Sequence, residues 1–91
     1  MITIYSKKDC PKCEQLKDVC KHANVEYIEI DTTGNTELVN LLREKAEGMG
    51  FPMVKFSDGK ILAGDLDAIF QKLNGAEEKV ETKNPEYFWG N

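Results

Sequence analysis

The spacing of apolar positions changes along the chain, and each change marks an element. Ile2 to Tyr5 is a short β-branched and aromatic run that stops at Ser6-Lys7-Lys8-Asp9, the pattern of a buried strand. From about Pro11 to Ala23 the apolar or small residues Cys13, Leu16, Cys20 and Ala23 recur at helical steps and share one face. Pro11 suits the first turn, where its missing N–H has no partner to lose. Val25 to Ile30 sets Val25, Tyr27 and Glu29 against Glu26, Ile28 and Ile30, and reads as a strand with at least one buried side. Asp31-Thr32-Thr33-Gly34-Asn35 is a loop. It leads into a second helix, about Thr36 to Glu47, with a core stripe of Leu38, Leu41, Leu42 and Ala46. Gly48-Met49-Gly50 suits a left-handed close to that helix.

Met53 to Phe56 reads as a third strand, Ser57-Asp58-Gly59 as a hairpin turn and Lys60 to Ala63 as the returning strand. Gly64 and Asp65 open a last helix through about Leu73, with Leu66, Ile69, Phe70 and Leu73 inward, and Asn74-Gly75 stops it. The order is βαβαββα. Strand–helix–strand implies a parallel pair with a right-handed crossover, and the Asp-Gly hairpin makes the last two strands antiparallel. The expected fold is therefore α/β, a mixed four-stranded sheet flanked by three helices, over residues 1–75. Residues 76–91 read as a tail, charged from Glu77 to Lys83 and aromatic at Tyr87, Phe88 and Trp89, surplus to the fold.

With 91 residues there is room for one small domain. The net charge of −4 argues against non-specific nucleic-acid binding, which needs a basic footprint. No window approaches the ~18 apolar residues of a membrane span, and the N-terminus has no signal-peptide pattern, so a cytoplasmic chain without membrane contact is expected.

Three cysteines are too few, and odd, for a secreted disulfide scaffold. Cys10 and Cys13 form a Cys-x-x-Cys, which is either half of a metal site or a redox dithiol. A zinc set of Cys10, Cys13, Cys20 and His22 would crowd four ligands onto one helix, where they cannot converge tetrahedrally without unwinding it. Cys20 reads instead as a small buried hydrophobe and His22 as a helix-end residue. Cys10 falls in the loop after the first strand and Cys13 in the first helical turn. Unsatisfied N–H groups and the helix dipole there stabilise thiolate over thiol, and Lys7, Lys8 and Lys12 add positive potential against Asp9. Cys10, in the exposed loop, is the expected nucleophile, and Cys13, on the apolar face, the resolving thiol. A Cys-x-x-Cys at the strand–helix junction of a βαβ unit is a thioredoxin-like arrangement. Pro52, at the start of the third strand, reads on base rates as a trans peptide.

These residues together resemble a glutaredoxin. Ile4 to Cys13 is similar to that family's strand, lysine and Cys-Pro-x-Cys site, and Phe51-Pro52-Met53-Val54 to its cis-proline loop. Asp58-Gly59-Lys60 and Ala63-Gly64-Asp65-Leu66-Asp67 resemble its hairpin and Gly-Gly-x-x-Asp segment, so the likeness runs from about Met1 to Leu73. It implies a thioredoxin-like fold and a thiol–disulfide oxidoreductase acting on protein disulfides or glutathione mixed disulfides. Glutathione would be the reductant, with no bound cofactor or metal. Cys10 would attack and Cys13 resolve. Lys7 would meet the glycine carboxylate of glutathione, the Phe51 backbone beside a cis Pro52 its cysteinyl unit, the helix start near Asp65 and Leu66 its γ-glutamyl carboxylate, and Asp67 its ammonium. The chain departs from the pattern at Lys12, Gly50-Phe51, Ala63 and Asp65. Its Asp-Cys-x-x-Cys run is also similar to small redoxins that take electrons from thioredoxin reductase and feed ribonucleotide reductase. A non-catalytic thioredoxin-like binding module is the third reading.

Overall fold

The strand β1 (Ile2–Ser6) pairs in parallel with β2 (Tyr27–Asp31) on one side and antiparallel with β4 (Met53–Lys55) on the other. Between β1 and β2 runs α1 (Pro11–His22), and between β2 and the rest of the sheet runs α2 (Thr36–Lys45). Beyond α2 come β3 (Ala46–Gly48), the β4–β5 hairpin with β5 at Ile61–Ala63, and α3 (Leu66–Gly75). The computed structural model describes residues 1–75, and the segment 76–91 expected as a tail lies outside the described residues.

The sheet has five strands in the order β2-β1-β4-β5-β3, one more than the expected four. The extra strand comes from residues assigned by periodicity to the end of the second helix. α2 stops at Lys45, Ala46 turns extended (φ −83°, ψ 146°), and Ala46 to Gly48 pair in parallel with Ile61 to Ala63. Three residues carry no readable period, and their pairing partner is distant in sequence, so the ladder was invisible locally. Gly48 is not a helix cap. Its φ is +96°, and a Cβ there would collide with the Ala63 carbonyl oxygen, so only glycine permits this approach.

Alternation along β1 divides the core. Ile2 and Ile4 face α1 and α3, where they pack with Leu16, Cys20, Val54 and Ile69. Tyr5 faces the other way, into a smaller cluster with Leu42, Met53, Ile61 and Ala63 beneath α2. Leu41, expected on the core stripe, is instead 51% exposed, because the helix centres its buried face on Leu42 and leaves its neighbour ~100° away. β2 is an edge strand. Val25, just before it, is buried and Tyr27 is partly buried, but Ile28 and Ile30 are exposed. This chain order brings the end of β1, the start of α1 and the start of β4 to one edge of the molecule.

Candidate active site

Cys10 is the N-cap of α1. Its sulfur accepts a hydrogen bond from the Cys13 N–H at 3.2 Å, and its carbonyl accepts from the Cys13 and Glu14 N–H groups at 3.1 and 3.2 Å. Pro11 follows in the first turn, where it removes a donor that no helix carbonyl would have used. The two cysteines are joined as a disulfide with their Cα atoms 5.2 Å apart. When that bond opens, the Cys10 sulfur keeps the Cys13 N–H beside it at the positive end of the helix dipole, which favours the thiolate. Cys13 is 1% exposed whereas Cys10 is half-buried, so an incoming sulfur reaches Cys10 first.

The loop carrying Cys10 is anchored from β2. The Thr32 N–H and hydroxyl both donate to the Ser6 carbonyl at 2.8 Å, and the Lys8 N–H donates to the Thr33 hydroxyl at 2.8 Å. Asp31 caps this clasp by accepting from the Thr33 N–H, and that bond holds its carboxyl below the usual range. Asp9, immediately before the nucleophile, has φ +57°, a strained conformation for a residue with a Cβ.

A second set of contacts ties α1 to β2 one turn below the disulfide. One Glu29 carboxylate oxygen accepts from the Ser6 hydroxyl at 2.8 Å and from the Lys17 ammonium at 2.9 Å, and Lys17 also pairs with Glu14. Lys17 holds Glu29 below the ordinary carboxylate range, and Glu29 with Glu14 raises Lys17 above its own. Lys17 lies four residues after Cys13 on the same face, and helical side chains lean toward the preceding turn. Sequence reasoning missed this trio. Only the α1–β2 register, which no local pattern carries, brings Lys17 and Glu29 together.

The Phe51–Pro52 peptide is cis, as the resemblance implied and base rates did not. Pro52 precedes Met53, which pairs with Tyr5, so it stands beside the end of β1. Its carbonyl accepts from the Gly64 N–H at 2.9 Å, linking this loop to the start of α3. Lys7 extends over the Phe51 ring, 5.4 Å from its centroid. Both line a cavity of about 360 Å³ together with Lys8, Thr33, Asn40 and Arg43. Neither Arg43 nor Asn40 is singled out by sequence reasoning. A lone arginine on a polar stripe offers no signal until the fold turns that stripe toward Lys7.

The third group of expected residues is arranged differently. Asp65 is turned inward on the helix it precedes, its carboxylate accepting from the Ala68 N–H at 3.2 Å and its carbonyl from the Ile69 N–H at 3.0 Å. Leu66 and Asp67 form the first turn of α3, with Leu66 partly buried and Asp67 exposed. Cys20 is free and buried, and burial pushes its thiol pKa up. His22 is exposed, with its Nδ1 donating to the Asp18 carbonyl at 2.8 Å. Among the described residues, no three His, Cys, Asp or Glu side chains converge as metal ligands would.

Comparison with known proteins agrees with this geometry. Residues 2–62 match the glutaredoxin family model. An uncharacterised glutaredoxin-like 8.6 kDa protein of the rubredoxin operon of Clostridium pasteurianum is 29% identical over 73 residues, 80% of this chain and 96% of that protein. The Gene 56 protein of Mycobacterium phage L5 is 27% identical over 80 residues, covering 84% of this chain and 78% of its own length. The crystal structure of the thioredoxin-like protein BC3987 superposes with a TM-score of 0.61 at 32% identity, over 80% of this chain and all of that one. Thioredoxin-like architecture, a disulfide-forming Cys10–Cys13 pair at a helix N-terminus and the matching family model lead to one assignment: the chain belongs to the glutaredoxin family.

Proposed function

We propose that the protein is a glutathione-dependent thiol–disulfide oxidoreductase in which Cys10 attacks and Cys13 resolves. The observation that carries the reading is the asymmetry of the pair: Cys10 half-buried at the N-cap with its sulfur on a helix N–H, Cys13 buried one turn in. The Cys10 thiolate attacks a substrate disulfide, forming a Cys10–substrate mixed disulfide and releasing one substrate sulfur as thiolate. The Cys13 thiolate then attacks the Cys10 sulfur, releasing the second substrate thiolate and closing the Cys10–Cys13 bond. Two electrons reach the substrate. Two glutathione molecules reopen the pair and leave as glutathione disulfide. Lys7 and Arg43, which line the same cavity, supply the charge for the glycine carboxylate, the Phe51 backbone beside Pro52 takes the cysteinyl unit, the helix start near Asp65 and Leu66 the γ-glutamyl carboxylate, and Asp67 the ammonium. No bound cofactor or metal takes part in this scheme.

The second reading, a redoxin reduced by thioredoxin reductase that feeds ribonucleotide reductase, is favoured by Asp65. Its carboxylate already takes a helix N–H at the position where a γ-glutamyl carboxylate is expected to bind. Two measurements separate the readings. Cys10→Ser should abolish exchange with every substrate, whereas Cys13→Ser should keep activity on glutathione mixed disulfides, which need only one thiol. Retained exchange in Cys10→Ser refutes the assignment. Reduction of the oxidised protein by thioredoxin reductase but not by glutathione selects the second reading.

A further inference from the structure

Arg43 borders two concavities at once. One is the cationic cavity it shares with Lys7, Lys8 and Phe51. The other, of about 450 Å³, is lined by Ala46, Met53 and Ala63, with the exposed Met49 at its rim. Each alone is near the lower end of the ~300–1,000 Å³ in which small-ligand sites fall. The two cavities share Arg43, and Phe51 lines the first and Gly50 the second, so they adjoin beside the cis-proline loop and are taken together as one groove, charged at one end and apolar at the other.

The two ends differ in chemistry. The first presents three cations and not one carboxylate among its lining residues, on a chain whose net charge is −4. Such a local inversion of sign attracts a negative group and repels a positive one. The second end presents Met49, which is 89% exposed although it is a large apolar side chain. Gly48 and Gly50 flank it with φ of +96° and +92°, a backbone that turns the methionine outward instead of folding it onto the core. An exposed methionine over an apolar floor is an adaptable contact for another side chain.

We infer that this groove docks an extended segment of a disulfide-bearing protein, with an acidic side chain at Lys7, Lys8 and Arg43 and an apolar side chain in the Met49 cavity. The inference rests on the dithiol function proposed above and adds the side chains by which a polypeptide substrate is selected. Glutathione offers a carboxylate for the first end and no apolar side chain for the second, so the Met49 cavity has a use only when the substrate is a polypeptide.

Three oxidised peptides test it, each with one internal disulfide. The first is flanked by a glutamate and a leucine, the second has lysine for the glutamate, and the third has serine for the leucine. The protein should reduce the first with kcat/KM about tenfold above either of the others. Met49→Ser should remove the preference for leucine and keep the preference for glutamate. Arg43→Glu should reverse the charge preference, so that the lysine peptide becomes the better substrate. Equal rates for all three peptides overturn the inference, as do preferences that survive both substitutions. A dimer that dissociates on Met49→Ser would assign the cavity to a second copy of the chain and also overturn it. Reopening of the Cys10–Cys13 bond by dithiothreitol is measured alongside. Failure there would sink the dithiol function itself, a result distinct from loss of peptide selectivity.

Discussion

Leu16 and Leu41 lie on helices of similar length on opposite faces of one sheet, yet the first is fully buried and the second half exposed. Two helices, α1 and α3, cover the first face and enclose a cluster that includes Ile2, Ile4, Cys20, Val54 and Ile69. Among the described residues, the second face has α2 alone. Ten residues make a helix about 15 Å long and about 10 Å wide, too small for five strands spaced about 4.8 Å apart. Among the described residues, Ile28 and Ile30 on the edge strand are therefore exposed, and two cavities border Arg43. Stability concentrates on the doubly covered face and surface available to partners on the singly covered one.

The largest effect should come from testing that division directly. Leu16→Ala removes a fully buried side chain and should destabilise by about 2–5 kcal/mol, whereas Leu41→Ala should stay within about 0.5 kcal/mol. Urea unfolding of both variants checks this, and equal losses would erase the contrast between the faces.

Gly64→Ala comes next. Gly64 has φ +78°, and a Cβ there would collide with the Met49 carbonyl oxygen, so the loop of the singly covered face must shift. A loss of about 2 kcal/mol or more is expected, against about 1 kcal/mol for Gly34→Ala, which shares the left-handed conformation but opens onto empty space. Thermal melting of the pair separates collision from backbone strain.

Asp65→Ala should cost about 1 kcal/mol through the lost N-cap of α3, and Asp65→Ser should recover most of it. If both variants melt alike, the cap is not what Asp65 contributes.

The smallest effect is the pH dependence of the Lys17–Glu29 tie. Glu29 has a lowered pKa in the folded protein, so its contribution is present above its unfolded value of about 4.3 and is lost as pH falls through the folded value. Lys17, raised, contributes fully below its unfolded value of about 10.4 and loses that only at strongly alkaline pH. Glu29→Gln should thus flatten the acid arm of stability against pH, by a few tenths of a kcal/mol for this partly exposed pair. An unchanged acid arm would mean that the tie only shapes the surface.

Much of this molecule was legible in its chain, because the relevant signals are local. The period of Cys13, Leu16 and Cys20 marked α1 and its buried face, and Asp58-Gly59 marked the hairpin. A cysteine before a proline at a helix start is enough to place a sulfur against the N–H groups of the first turn. That is why Cys10 and Cys13 could be given separate roles before any coordinates. Where the reading went astray, at β3 and at Leu41, local period competed with pairing and coverage from distant residues, and those prevailed.

The sequence by itself determined the order of elements apart from β3, the dithiol and its electrostatic setting, since each depends on residues within one or two turns of one another. Only the tertiary structure decided that Lys17 and Ser6 share a Glu29 oxygen, that Arg43 joins Lys7 across Phe51, and that Met49 rims an apolar cavity. Lys17 and Glu29 lie 12 positions apart in the chain and Lys7 and Arg43 lie 36 apart, and sheet register and the limited reach of a single helix over five strands bring them together.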